Sequence, residues 1–427
     1  MKKNILWLVT LVLVLSVSFS SVVFADEKEL IELEFVSWQW EEPGFGDYWN
    51  FVADEFTKAN PNIRIKPTSI GTGADYQQYS ITRFTAGDIP EINQVKGAYS
   101  RQYYALGLLE PLDGFPGFKE LESKFLNSRS WNMHNIDGQQ YLIPIGTYGK
   151  VLFYNKKMFD EAGVSYPETW DSLDDFVIAA KKLTKVKETG EKQYGYSFPD
   201  KGIRNYLYGV MNLIACQGGN IVTKGEPTAT SPEVIKAISI LKDLLVSGAT
   251  PLGIDLTQAW QIFWEEKAAM LYEGPWIYTN IKEYNPDMIP YLGFAGLPGN
   301  HQVVGIGNGF GIIKNQEHKD EAWKFIMFLN SERMVKAYAE MTGLLFPQNI
   351  PVTEKALESF PVLQISQKNM VNGVFTEPEG MEAHIGQIVN IVYPIMEEVF
   401  YTEMTPEAGA EKLQKELEKV KAEILLK

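Results

Sequence analysis

Residues 263–278 read FWEEKAAMLYEGPWIY, a short run that carries a helix end, a strand and an aromatic pair. Phe263, Ala268, Ala269 and Met270 are small or apolar residues around a Glu265-Glu266-Lys267 turn, which predicts a buried strand directly after a helix. Gly274-Pro275 then breaks the chain, because glycine relaxes the backbone while proline fixes φ and removes a donor. Trp276 and Tyr278 follow at once, two amphipathic rings placed where the chain leaves one element and enters the next. Such a position suits rings that face a ligand. Trp260 and Trp264, on the helix that ends in the run, are expected to pack in the core.

The segments on either side alternate between strand and helix. Ile31 to Trp38 has the two-residue period of a strand and ends in Trp38-Gln39-Trp40, read as a loop at the strand's C-terminal end, where ligands of open α/β sheets lie. Trp49 to Ala59 places Phe51, Val52, Phe56 and Ala59 on one helical face, and Ile63 to Ile65 returns to strand. Lys150 to Asn155 is a nearly continuous apolar run, the pattern of a strand buried on both faces. Ser231-Pro232-Glu233 opens a helix as cap, first-turn proline and first-turn acid. Asn300 to Gly311 reads as one glycine-rich strand crossing a junction. Helices are predicted at Lys319 to Leu329, Glu332 to Met341 and Pro406 to Leu426, the last with Leu413, Leu417, Val420 and Ile424 along one side. This alternation predicts an α/β fold.

Composition narrows the function. Lys2 and Lys3 precede an apolar run from Ile5 to about Val17, and Val23-Phe24-Ala25 forms a small-residue cleavage pattern. Residues 1–25 are therefore expected to be a signal peptide cut after Ala25, leaving an exported chain with no cysteine near the cut to carry a lipid anchor. The net charge of −15 becomes −17 on cleavage, since two lysines leave and no acid does. Nucleic acid and anionic membrane surfaces are poor partners for such a chain. Cys216 is the single cysteine, so no intramolecular disulfide exists and a packed core must supply the stability. At 427 residues the chain is long enough for two or more domains.

Catalytic and cofactor signatures are missing. Gly71-Thr72-Gly73 lacks the third glycine and the helix-opening context of a dinucleotide site. His134, His301, His318 and His384 include no His-x-x-x-His pair, so neither a metal nor another cofactor is expected. Glu41, Glu42, Asp47, Asp88 and Glu273 form no recognisable carboxylate pair for glycoside hydrolysis.

Seven motifs, spread in order along the chain, identify it as resembling the family 1 extracellular solute-binding proteins of ABC importers, the maltose-binding-protein group. They are GDIPEI with GLLEPL at 87–112, YLIP with LFYNKKMFDEAG at 141–163, PETW at 167–170, ACQGGN at 215–220, FWEEKAAMLYEGPW at 263–276, VGIGNGFGI at 304–312 and HKDEAWKFIMFLNSE at 318–332. The resemblance implies a two-lobed, type II-like periplasmic binding protein fold. Lobe 1 would be residues 26–147 with 305–342, and lobe 2 residues 151–304 with 346–427. Hinge segments would lie near 148–150, 303–306 and 342–346, and a sugar would sit between the lobes.

Carried over residue by residue, Trp276 matches the family tryptophan that stacks on a sugar ring. Tyr278 stands where a second aromatic is common, Tyr208 matches a cleft tyrosine of the second lobe, and Tyr148 lies at the first crossing. The loop at 94–99 departs from maltose binders: Gln94, Val95, Lys96, Gly97, Ala98 and Tyr99 stand where those carry an acid, an arginine and a tryptophan. Together with Trp38, Gln39, Trp40 and Asn308, the candidates Gln94, Lys96 and Tyr99 supply the rings and hydrogen-bonding groups that a saccharide needs. Phe346 and the loop from Phe375 to His384 are rim candidates, and Trp170 is expected to dock its following helix. The implied partners are a carbohydrate and a membrane permease, with the chain itself a monomer. A secreted glycoside hydrolase, and a receptor for a peptide, polyamine or phosphate ester, remain as alternatives.

Overall fold

The computed structural model describes residues 29–71, 74–125, 129–202, 209–299, 301–305, 307–371 and 373–426. The expected signal peptide and its cleavage site, together with Tyr208, lie outside the described residues.

Two packed bodies account for most of the core. The first is built on a five-stranded sheet in the order Ile63–Ser69, Ile31–Ser37, Ile92–Val95, Asn308–Gly311, Ile143–Ile145. The first three strands run parallel, and Asn308–Gly311 lies antiparallel to both of its neighbours. Phe35 alternates inward from its strand and meets Trp49 at 5.2 Å and Phe310 at 5.1 Å, each edge to face. The Phe45–Ala59 helix supplies Trp49, Val52 and Phe56, and the Lys319–Leu329 helix supplies Phe325 and Ile326 to the same cluster.

The second body surrounds Val151–Asn155, buried at every position and flanked antiparallel by Met270–Glu273 and Leu292–Ala295. Its helices include Pro232–Val246, whose first turn is capped as expected by the Ser231 hydroxyl accepting from the Val234 N–H. Leu413, Leu417 and Val420 of the Pro406–Leu425 helix enter this core, with Ile424 partly buried against it. Trp170 stacks on Phe159 at 6.2 Å and donates its indole N–H to the Ser165 carbonyl, which anchors the PETW turn.

The glycine-rich segment differs from the single strand expected at 300–311. It forms two strands, Gln302–Gly305 and Asn308–Gly311, and they belong to different sheets. Gln302–Gly305 pairs antiparallel with Tyr148–Gly149, and Thr147 bridges to Leu345. Three chain segments thus run side by side between the bodies. Ser366 and Asn369 hold the first of them from the Val362–Met370 helix, the Asn369 amide donating to the Lys150 carbonyl at 2.7 Å. A methyl group at Gly149 would press on the Ser366 carbonyl at 2.5 Å, so this crossing requires glycine for close approach rather than for an unusual φ.

Candidate binding cleft

The run 263–278 resolves into three elements. The Leu256–Trp264 helix opens with a capping box between Asp255 and Gln258, Met270–Glu273 is the buried strand, and a new helix starts at Trp276 and continues to Tyr284. Gly274 serves a different purpose from backbone freedom. A side-chain carbon there would overlap the Trp276 indole, which folds back over the glycine. Gly305 does the same for the Tyr148 ring. The two rings so cradled meet edge to face, with centroids 4.7 Å apart.

Trp276 and Tyr148 line a cavity of about 340 Å³ between the two bodies, within the usual size of small-molecule sites. Trp38, Gln39, Lys96, Tyr99 and Asn308 also line it, so seven of the sequence candidates converge there. A larger cavity of about 590 Å³ lies against Thr147, Val304 and Leu345 of the crossing segments, with Pro347, Pro351 and Met370 on its walls. Phe346 belongs to that cavity, where among the described residues it and Phe375 are the aromatic ones. The smaller cavity has the chemistry of a binding site.

Three candidates are corrected. Tyr278 was expected beside Trp276, but the segment is helical, so a residue two positions on points to the opposite side. Its ring is 6 % exposed and packs between Phe294 and Phe360. Trp40 turns away into the first body, where it meets Phe35 at 5.0 Å and donates its indole N–H to the Phe35 carbonyl. Gln94 is fully buried on the central strand and acts behind the wall: its amide donates to Gln39 Oε1 at 2.7 Å, and its carbonyl oxygen accepts from the Ser37 hydroxyl. The Ser37 hydroxyl also caps the short turn Trp38–Glu41 by accepting from the Gln39 N–H.

The cavity also contains residues that sequence reasoning missed. Trp260 and Trp264 pack partly buried against the core, as expected, and both also line the cavity together with Asn280 and Tyr284. The signal was present as spacing: Trp260 and Trp264 are four apart, and Trp276, Asn280 and Tyr284 follow the same period on the next helix. Thr376 and Glu377, from the loop proposed as rim, line it as well.

Beneath the rings lies a buried ion pair. Lys150 Nζ donates to Glu273 Oε1 at 3.0 Å, with both side chains almost wholly out of solvent. Glu273 also accepts from the Gly274 N–H at 2.9 Å and from the Trp260 indole at 3.3 Å. Burial pulls the Lys150 ammonium below the usual lysine range, partly offset by Glu273. Glu377 is pushed up to about 8 by burial, and its Oε2 is enclosed without a hydrogen-bond partner. The Trp276 indole N–H is likewise enclosed and unpartnered, although its ring edges the cavity. Enclosed polar atoms of this kind are costly unless a partner arrives. On the other wall, Lys96 Nζ lies 4.8 Å from the Trp38 ring centroid, a cation–π contact that steadies the ring.

Among the described residues, no group of His, Cys, Asp and Glu is arranged to hold a metal ion, and no helix is long and apolar enough to cross a membrane.

Comparison with known proteins gives these features a family. The chain is 25% identical over 308 residues to the multiple sugar-binding protein of Streptococcus mutans, covering 68% of this chain and 70% of that one. It is 24% identical over 364 residues to the sn-glycerol-3-phosphate-binding periplasmic protein of Escherichia coli, covering 78% and 80%. The solved structure of an ABC substrate-binding protein from Listeria monocytogenes, in complex with cycloalternan, superposes with a TM-score of 0.77 at 23% identity, covering 92% of this chain and all of that one. The fold is therefore the two-lobed one of periplasmic solute-binding proteins. Residues 52–362 match the family model for bacterial extracellular solute-binding proteins, and the chain belongs to that family.

Proposed function

We propose that this protein is an exported, non-catalytic receptor that captures a mono- or oligosaccharide between its lobes and delivers it to the permease of an ABC importer. The observation that carries the reading is the Trp276 indole, which lines the cavity edge-on to Tyr148 with its N–H enclosed and unpartnered. A sugar offers an apolar C–H face to such a ring and a hydroxyl rim to such donors. Gln39, Asn280 and Asn308 add neutral hydrogen-bonding groups around it. The sugar named for the Streptococcus relative supports this choice. A phosphate ester, as in the name of the Escherichia coli relative, fits less well: Lys150 is engaged by Glu273, and Glu41 and Glu42 add carboxyl groups to the cavity.

The lobes would be 26–147 with 305–342 and 151–304 with 346–427, and the crossings near 148–150, 303–306 and 342–346 would act as hinge. A ligand contacting both walls would then favour the closed form by its extra contacts. The proposal includes the expected signal peptide, which export requires, and a monomeric chain.

Thermal shift against a panel of saccharides, peptides, polyamines and glycerol phosphate tests the reading. One saccharide class should raise the melting temperature by mass action. A shift with peptides, polyamines or glycerol phosphate but with no sugar would overturn it. Chromatography of that saccharide after incubation with the protein should return it intact, and cleavage products would restore the hydrolase.

A further inference from the structure

The saccharide reading leaves the length of the ligand open, and the aromatic wall of the second lobe bears on it. Trp260 and Trp276 form one contact, with centroids 6.4 Å apart. Trp264 and Tyr284 form a second, stacked at 5.1 Å with 29° between the planes. The second contact lies one turn further along the Leu256–Trp264 helix and two turns further along the Trp276–Tyr284 helix. One turn amounts to about 6 Å of helix rise and two turns to about 12 Å, so the second contact lies at least about one sugar ring beyond the first. Asn280 stands between the two levels and also lines the cavity.

Tyr284 is 57 % exposed although it lines the cavity, whereas Tyr278 on the same helix is 6 % exposed inside the core. The outer pair is also rigidly held. The Asn285 amide donates to the Trp264 carbonyl at 2.7 Å, which ties the end of one helix to the end of the other. Both rings therefore stand on helices with their backbone fixed, the arrangement that gives stacking surfaces their precision.

We infer that Trp264 and Tyr284 form an outer subsite that stacks a distal sugar unit, so that the ligand is an oligosaccharide running from the Tyr148–Trp276 floor to the mouth of the cleft. This inference rests on the saccharide reading of the site. Stacking on an aromatic ring contributes of the order of 1 kcal/mol beyond area burial, which corresponds to several-fold to roughly tenfold in affinity.

Calorimetric titration of the full mature chain with malto-, xylo- and cello-oligosaccharides of increasing length tests it. For the class that binds, the ratio of trisaccharide to monosaccharide affinity should exceed roughly tenfold in the native chain and fall several-fold in Tyr284→Ala. Tyr284→Phe, which keeps the ring, should retain the ratio. Because Tyr284 is exposed, the variant is expected to fold, and its melting temperature and circular dichroism verify this. Equal affinity for mono- and trisaccharides in the native chain, or a ratio unchanged in Tyr284→Ala, would overturn the outer subsite and leave the saccharide reading standing. Failure of every saccharide to bind would overturn the saccharide reading, and the subsite with it.

Discussion

The two walls of the cleft are made by different means. The first-lobe wall is a short capped turn whose Trp38 and Gln39 are fixed by a relay of Ser37, Gln94 and Gln39, with Lys96 over the Trp38 ring. The second-lobe wall is two helices whose cavity-lining residues recur every fourth position, Trp260 and Trp264 on one and Trp276, Asn280 and Tyr284 on the other, underlain by a buried ion pair. One wall places a few polar atoms accurately, and the other offers broad apolar area. On the saccharide reading, the first would fix which hydroxyls are accepted and the second would supply most of the adhesion. Both contain buried polar groups, which on the saccharide reading would serve to keep the rings in place.

Substitutions can separate the two walls. The largest effect is expected from Lys150→Met, which leaves Glu273 buried without its cation and should cost about 3–5 kcal/mol in urea denaturation. Replacing Glu273 by leucine as well should recover part of that loss. An unchanged midpoint for Lys150→Met would mean that the pair does not support the second wall.

Glu377→Gln should act through pH. In the unfolded chain the carboxyl ionises near its usual 4.5, while in the folded chain it holds its proton up to about 8. The unfolded state therefore releases the proton first, so the native protein loses stability as pH rises from about 4.5 to about 8. Above that range the deficit is constant. The glutamine variant avoids this loss and should gain on the native chain by a few kcal/mol between pH 4.5 and pH 8. Parallel unfolding curves across that range would rule out a buried, protonated Glu377.

Gln94→Leu leaves Gln39 without its donor and should cost roughly 1–3 kcal/mol of stability, with weaker ligand binding through a misplaced Gln39. The smallest effects belong to Trp40→Phe and Tyr278→Phe, since neither residue lines the cavity. Affinity within about twofold of the native chain is expected for both, given how little a change outside a site usually does. A tenfold loss for either one would return it to the cleft.

Much of the fold was legible in local sequence. Alternation gave the Ile31–Ser37 strand, the Ser231 cap marked its helix, and the apolar run marked the central strand at 151–155. The division of 300–311 into two strands was not legible, because each half alone reads as strand and nothing local says that the sheet changes between them. Cavity-lining residues were legible where they sit at element ends, as with Trp38, Lys96, Tyr148 and Trp276. Tyr278 was misplaced because no helix was assigned after Gly274-Pro275, and on a helix a residue two positions from Trp276 lies on the other side. Trp260 and Trp264 do pack against the core, and only the packing of the next helix reveals that they line the cavity as well. Glu273 could not be recognised as the partner of Lys150, which lies 123 residues away along the chain.

The central claim is that the second-lobe rings hold the ligand, and Trp276 is the residue on which it turns. Titration calorimetry of the native chain and Trp276→Ala, with the saccharide that gives the largest thermal shift, tests it directly. The account predicts a one-to-one isotherm for the native chain and a loss of at least about 2 kcal/mol, roughly 30-fold in Kd, for the variant. Equal affinity in a folded Trp276→Ala would contradict it.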